Sequence, residues 1–375
     1  MKAHDPVLAR GSRLARVRDA MREQAVDCLL LSLGADLPWL TGYEAMPLER
    51  VTMLVLPADD EAVLFVPELE AARVAHDRRL FALRPWKETE DPFDAIATAV
   101  GSRASLGISD RAWTTHFLAL QGMLPGASWR RASDVTGPLR AVKDAAEIAA
   151  LDAAGAAADR VASALLAGEI TLIGRSEADV SAEISRRLLA EGHARVNFAI
   201  VGSGPNSASP HHEPGTRCIE EGDPVVCDFG GSFRLDDTVG YCSDITRTVV
   251  AGEPDPELVA LYEVLEDAQR LAVEAAVVGV ACEEVDGVGR RRISEAGYGP
   301  AFIHRIGHGI GIEEHEDPYM VAGNTAPLCA GNAFSVEPGI YLAGRFGARI
   351  EDVVVATEDG PHRCNTADHS LHTVA

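Results

Sequence analysis

The run His304-Arg305-Ile306-Gly307-His308-Gly309-Ile310-Gly311, with Glu313, His315 and Glu316 just after it, crowds metal-capable and proton-carrying side chains into one short stretch of the 375-residue chain. Two histidines four positions apart can share one face of a metal-binding helix. That reading needs a glutamate directly after the first histidine, and Arg305 stands there instead. Glycines at 307, 309 and 311 also oppose a helix and let the backbone approach a ligand closely. A lone histidine in such a setting is usually structural; histidines at 304, 308 and 315 together point to a site.

Four carboxylates can be set beside His308. Glu337 lies in Ser335-Val336-Glu337-Pro338-Gly339, where Pro-Gly ends a strand sharply, and Glu351 precedes the apolar run Val353 to Ala356. Either glutamate alone would suit a surface position. Eighty residues before His308, Val225-Val226-Cys227-Asp228-Phe229-Gly230-Gly231 reads as a strand, and Gly240 to Val250, with Asp244, reads as its return. A polar turn from Arg234 to Thr238 makes these a hairpin that brings Asp228 and Asp244 together. Asp236 and Asp237 suit an exposed turn, whereas Asp228 follows an apolar run and is costly to bury without a partner. Four carboxylates and one imidazole form a hard donor set with room for two divalent ions. Ions roughly 3.5–4 Å apart can hold a bridging hydroxide and polarise a carbonyl. The set has no thiolate, which disfavours structural zinc.

The rest of the chain frames this set. Its length predicts two domains, with a boundary near Asp134-Val135-Thr136-Gly137-Pro138, giving 1–137 and 138–375. In the first half a helix is expected over Arg10 to Gln24, and strands over Cys28 to Leu33, Val51 to Leu56, Ala62 to Val66 and Ala104 to Ile108. Helical stretches at Glu68 to Val74 and Thr114 to Gln121 complete an α/β pattern, with Pro38 to Tyr43 read as a loop. Trp39 and Tyr43 read as packing more than as ligand contacts. Beyond the boundary, helices are expected from Lys143 to Leu166 and from Ser176 to Glu191, then a strand from Asn197 to Val201. A net charge of −23 disfavours nucleic acid as a partner. No stretch reads as a secretory signal or membrane span, and seven scattered cysteines without a C-x-x-C fit a reducing cytoplasm. Val201-Gly202-Ser203-Gly204 invites a nucleotide reading, but Pro205 and Pro210 block the helix start it requires. There is no G-x-S-x-G elbow.

In order, Ser209-Pro210-His211, Asp228-Phe229-Gly230, Ser243-Asp244-Ile245-Thr246-Arg247-Thr248, Gly307-His308-Gly309-Ile310-Gly311, Val336-Glu337-Pro338-Gly339 and Arg349-Ile350-Glu351-Asp352 resemble the pita-bread metallopeptidases. Within them the series is most similar to the Xaa-Pro dipeptidase (prolidase) and aminopeptidase P branch. The resemblance covers most of the C-terminal half; Leu40-Thr41-Gly42-Tyr43 and the α/β pattern more weakly resemble a creatinase-type N-terminal domain. It implies an α/β N-terminal domain followed by an α+β pita-bread catalytic domain. It also implies that Asp228 chelates one ion, His308 and Glu337 bind the other, and Asp244 and Glu351 bridge them. By the same resemblance His211, seventeen residues before Asp228, and His304 contact the substrate. His315 stabilises the oxyanion, Glu337 moves the proton, and Arg349 orients the bridging carboxylates. The metals would be two divalent ions, Mn²⁺ first, with Co²⁺, Zn²⁺ or Fe²⁺ as alternatives. The substrate would be a small peptide with proline after the scissile bond, and the assembly a homodimer. Asp228 and Asp244 are sixteen residues apart, a longer hairpin than the family pattern has, so its tip is expected to reach solvent or a partner subunit. Three alternatives remain: an aminopeptidase P acting on longer peptides, a hydrolase or lyase of small amides or zwitterions, and a metal-free creatinase-like enzyme or peptide-binding module.

Overall fold

The computed structural model describes residues 6–235 and 239–374. They form two compact units, the chain passing from the first to the second between Arg140 and Ala141. The first unit contains, in order, α1 (Pro6–Glu23), β1 (Cys28–Leu31), α2 (Asp36–Thr41), β2 (Met53–Pro57), β3 (Val63–Pro67), β4 (Ala82–Trp86), α3 (Pro92–Val100), β5 (Ser105–Ile108), α4 (Thr114–Met123), β6 (Ser128–Arg131) and α5 (Ser133–Ala141). Its sheet has the order β4-β3-β2-β1-β5-β6. The continuous apolar run of β1 takes a central place, antiparallel to β2 and parallel to β5, with all its residues buried.

One loop reading is corrected here, and one Gly-Pro pair lies within a helix. Pro38 to Tyr43 is largely the helix α2. Pro38 stands in its first turn, where a missing N–H costs nothing, and Gly42 at φ 77° closes it by donating to the Pro38 carbonyl. Trp39 and Tyr43 are buried packing residues. Gly137-Pro138 does not interrupt the chain either, since both residues lie inside α5. Pro138 cannot donate to the Asp134 carbonyl, and the Gln24 side-chain amide does so instead at 3.2 Å. The segment Glu68–Arg73 is 3₁₀ rather than α. Strands β4 and β6 and helix α3 were not expected; β4 and β6 carry exposed and half-buried residues and lack an apolar run.

The second unit continues with α6 (Ala145–Leu166), α7 (Glu177–Ala190), β7 (His193–Ser203), β8 (Pro224–Phe233), β9 (Tyr241–Ala251), α8 (Pro256–Ala275) and α9 (Cys282–Glu295). Then follow β10 (Gly307–Gly309), β11 (Glu316–Met320), β12 (Ala333–Val336), β13 (Gly339–Leu342), β14 (Phe346–Arg349), β15 (Asp352–Thr357), β16 (Gly360–Arg363) and β17 (His372–Val374). They make a sheet ordered β17-β9-β8-β7, a second ordered β11-β10-β12-β15-β16, and the ribbon β13-β14. Helix α6 opens on a capping box in which Asp144 accepts from Ala146 and Glu147 while Glu147 accepts from the Asp144 N–H. Such a cap contributes about 1 kcal/mol. The apolar faces of α6 and α7 pack with Val225, Cys227, Phe229, Ile245 and Val249 of β8 and β9. Helices α8 and α9 pack with Phe334, Val336, Ile340, Ala348 and Val354 of the other strands. These two layers hold the β8–β9 hairpin and the β10–β15 strands as rigid mounts. The hairpin turn read at Arg234 to Thr238 includes Asp236, Asp237 and Thr238, so the tip and its extension lie outside the described residues. No helix among the described residues is long and apolar enough to cross a membrane.

Candidate active site

Asp228 and Asp244 meet because of strand register. In the β8–β9 ladder Asp228 pairs with Thr246 and Gly230 with Asp244. Paired and i, i+2 residues share a face, so both carboxylates project from the same side of the sheet on a diagonal. Thr246, one pleat from Asp244, reaches a third carboxylate: its hydroxyl donates to Glu351 Oε2 at 2.7 Å. The Glu351 N–H in turn donates to the Thr246 carbonyl at 3.1 Å. Glu351 occupies the step between β14 and β15 and is held by both backbone and side chain.

His308 and Glu337 arrive on the second sheet. His308 is the middle residue of β10, which runs antiparallel to β12, and Glu337 follows β12 directly. The Glu337 N–H donates to the Ile306 carbonyl at 2.7 Å. Ser335 links the two, accepting from the His308 N–H at 3.0 Å and donating to Glu337 Oε1 at 3.2 Å. The glycines on either side of His308 serve close strand packing: a Cβ on Gly307 would collide with the Ser335 carbonyl, and one on Gly309 with the Asp317 carbonyl. His308 Nδ1 faces the Gly309 carbonyl at 3.2 Å. A carbonyl only accepts, so Nδ1 carries the proton and Nε2 presents a lone pair. That Nε2 lies 3.3 Å from Glu337 Oε1 and 3.8 Å from Asp244 Oδ2. Ligand atoms of Asp244, His308 and Glu351 lie within 4.8 Å of one another.

The electrostatics ask for a cation. Burial, reinforced by neighbouring carboxylates, raises the Asp244 and Glu351 carboxyls well above their ordinary range. Burial likewise pushes Glu337 up to about 7, with Arg349 opposing and Asp228 adding to the rise. His308 is held down at about 3 by burial and by His315, whose ring centroid is 4.0 Å away, so it is neutral and can ligate. Asp228 Oδ1 is buried and finds no hydrogen-bond partner among the described residues. An orphaned carboxylate oxygen, a neutral imidazole lone pair and three carboxyls of raised pKa fit divalent metal ions well.

Arg349 lies fully among these carboxylates. Its NH2 group pairs with Asp228 at 2.5 Å, and it touches the Glu351 side only through Thr246, whose hydroxyl accepts from Nε at 3.1 Å. Its NH1 donates to the Tyr341 hydroxyl at 2.8 Å. Tyr341 then donates to His304 Nε2 at 3.0 Å, because His304 Nδ1 already donates to the Arg305 carbonyl at 2.7 Å. Both His304 nitrogens are thus engaged within the protein, and burial holds its pKa down at about 4. His211 and His315 are exposed on the wall of the same cavity. This cavity, about 820 Å³, gathers every expected site residue, with Phe198, Ile200, Ile303 and Val321 as apolar lining. Sequence reasoning missed Thr246, Ser335 and Tyr341. The i, i+2 relation of Thr246 to Asp244 and of Ser335 to Glu337 was an available signal; Tyr341 had none.

Known proteins resemble this chain along most of its length. The model of metallopeptidase family M24 matches residues 149–358, and that of the creatinase/prolidase N-terminal domain matches residues 13–142. The chain is 43% identical to dipeptidase PepE from Mycobacterium ulcerans, whose crystal structure superposes with a TM-score of 0.90 over 98% of each chain. The crystal structure of prolidase from Thermococcus sibiricus gives a TM-score of 0.90 at 35% identity, covering 96% of this chain and 98% of that one. The Xaa-Pro dipeptidase of Lactobacillus delbrueckii subsp. lactis is 35% identical over 358 residues, 92% of this chain and 95% of the relative. With a creatinase-type N-terminal domain ahead of a pita-bread catalytic domain, this chain belongs to metallopeptidase family M24.

Proposed function

We propose that the protein hydrolyses the Xaa-Pro bond of dipeptides at a centre holding two divalent ions. The observation that carries this is the convergence of Asp228, Asp244, His308, Glu337 and Glu351 on one cavity, with Asp228 Oδ1 left without a partner among the described residues. Asp228 would hold one ion and His308 Nε2 with Glu337 the other, Asp244 and Glu351 bridging. When bound, the ions would supply a hydroxide nucleophile at neutral pH and polarise the scissile carbonyl. Arg349 anchors Asp228 and, through Thr246, the Glu351 carboxylate, so the ligand set is oriented before substrate arrives. Glu337, 3.3 Å from His308 Nε2 and lining the cavity, takes the proton of the attacking water at Oε1 or Oε2 and passes it to the leaving proline nitrogen. His315 donates to the carbonyl oxygen as negative charge grows on it. His304 contacts the substrate near its proline or its carboxylate, and His211 contacts it from the cavity wall.

The donor set is nitrogen and oxygen only, which suits Mn²⁺ first and also Co²⁺, Zn²⁺ or Fe²⁺. Seven unpaired cysteines suit a reducing cytoplasm, family resemblance adds a homodimer, and the domain division at 1–137 and 138–375 rests on the Gly137-Pro138 punctuation. Metal-stripped protein should be inert on Xaa-Pro dipeptides and recover with added Mn²⁺. Equal turnover with and without metal would overturn the two-ion centre; cleavage restricted to Xaa-Pro-Yaa tripeptides would replace the dipeptidase with an aminopeptidase P.

A further inference from the structure

A second group of ligand-type side chains stands apart from the peptidase centre and shares no residue with it. Asp152 on α6, His362 on β16 and Cys364 just beyond that strand bring one ligand atom each within 4.8 Å of one another. Strand alternation makes the pair: His362 and Cys364 face α6, while Arg363 between them turns the other way to Asp352. The Cys364 N–H still donates to the Val353 carbonyl at 2.9 Å, so the extended ladder runs through it. On the helix, Gly155 lies one turn from Asp152, and a Cβ there would collide with the Cys364 carbonyl. That glycine lets the strand end press against α6. His362 Nε2 and Asp152 Oδ1 are 2.7 Å apart, and the sulfur of the buried Cys364 lies within 4.8 Å of the ligand atoms of both. The side chains of His362 and Asp152 are 45% and 42% exposed, which opens a fourth direction to water.

We propose that Asp152, His362 and Cys364 form a separate site for one thiophilic divalent ion of the Zn²⁺ class, with water as fourth ligand. Sulfur, nitrogen and oxygen donors in a set of three suit tetrahedral Zn²⁺ and disfavour harder Mn²⁺, so the two centres of this chain would select different metals. On binding, the Cys364 S–H proton leaves to solvent as the sulfur–metal bond forms, so affinity rises with pH. The bound ion ties the strand end after β16 to α6. The alternative is an Asp–His surface pair beside an inert buried thiol.

Cobalt separates the two possibilities, because a thiolate–Co²⁺ charge-transfer band in the near ultraviolet cannot arise at a peptidase centre without sulfur. Full-length, chelator-treated protein titrated with Co²⁺ should develop this band, and Zn²⁺ should erase it. Cys364→Ser should abolish the band, and His362→Ala should weaken Co²⁺ binding by roughly tenfold or more while leaving dipeptidase turnover unchanged. His362 is exposed, so that variant decides the matter if Cys364→Ser fails to fold. A Cys218→Ser, Cys329→Ser double variant, lacking the two exposed thiols, should keep the band. No band in the wild type, a band unaffected by both site variants, or its loss in the double variant would each overturn the site.

Discussion

Glu337 concentrates the chemistry of this protein in one carboxyl group. It lies 3.3 Å from His308 Nε2, accepts from Ser335, and has its pKa raised by burial to about 7 from an ordinary 4.5. If Glu337 is both ligand and proton carrier, as proposed, its amide replacement should cost more than a ligand contact alone. Glu337→Gln is expected to lower kcat by about 10²–10⁴-fold, the usual span for a positioned general base, with circular dichroism unchanged. A wild-type rate in that variant would remove the proton-carrying role. The same variant reads out the burial cost. In metal-free protein above pH 7 the wild type holds a buried negative charge there and the glutamine variant does not, so the variant should melt several degrees higher. As pH falls from about 7 to 4.5 the folded wild type takes up a proton that its unfolded chain does not yet bind, and the gap should close. A gap that widens on acidification would contradict the assignment.

At the scale of elements, the Gly-His-Gly run is explained by strand packing. Side chains alternate along β10, so His308 turns into the cavity while Gly307 and Gly309 turn onto backbone carbonyls of β12 and β11. A methyl group at 307 would meet the Ser335 carbonyl first, a backbone group that cannot swing aside. Gly307→Ala should therefore destabilise the second unit by about 1–3 kcal/mol and shift His308 with it. Lower thermal stability together with a fall in kcat would show both effects, and an unchanged midpoint would mean the ladder can yield. The β8–β9 hairpin shows the complementary case. Its two aspartates were legible because Asp228 followed an apolar run, Asp244 lay in the returning strand, and the turn between them was polar. The ribbon β13–β14 was not legible. Tyr341 reads locally as one more apolar strand residue, and only the fold turns its hydroxyl toward Arg349 and His304.

Across the molecule, the catalytic unit places four carboxylates and an imidazole at one point, an arrangement that is costly until cations arrive. Binding to the folded state alone stabilises it by about 2.7 kcal/mol at a hundredfold excess over Kd. Mn²⁺ added to chelator-treated protein should raise the melting midpoint of the catalytic unit by roughly 5–10 °C, at about 2–4 °C per kcal/mol. Scanning calorimetry showing no shift would mean that the centre does not bind the ion. The sequence by itself determined the family pattern, the ligand types and the strands that carry them, because metal chemistry demands particular donors and strands announce themselves through local apolar runs. It read Pro38 as part of a loop and Gly137-Pro138 as punctuation, whereas both prolines lie in helices, since a proline's tolerance depends on which carbonyl loses its partner, and Gln24 supplies that partner to Asp134 from 110 positions away. Only the tertiary structure decided that Arg349 grips Asp228, that Tyr341 joins it to His304, and that Asp152 meets Cys364. Those contacts span sheets and helices far apart in sequence, and strand register, which no local pattern encodes, sets which side chains face one another. The histidine run itself divides the same way: its glycines spoke against a helix and the family pattern singled out His308 as the ligand, but only the paired sheets showed its Nε2 3.3 Å from Glu337 Oε1 and 3.8 Å from Asp244 Oδ2.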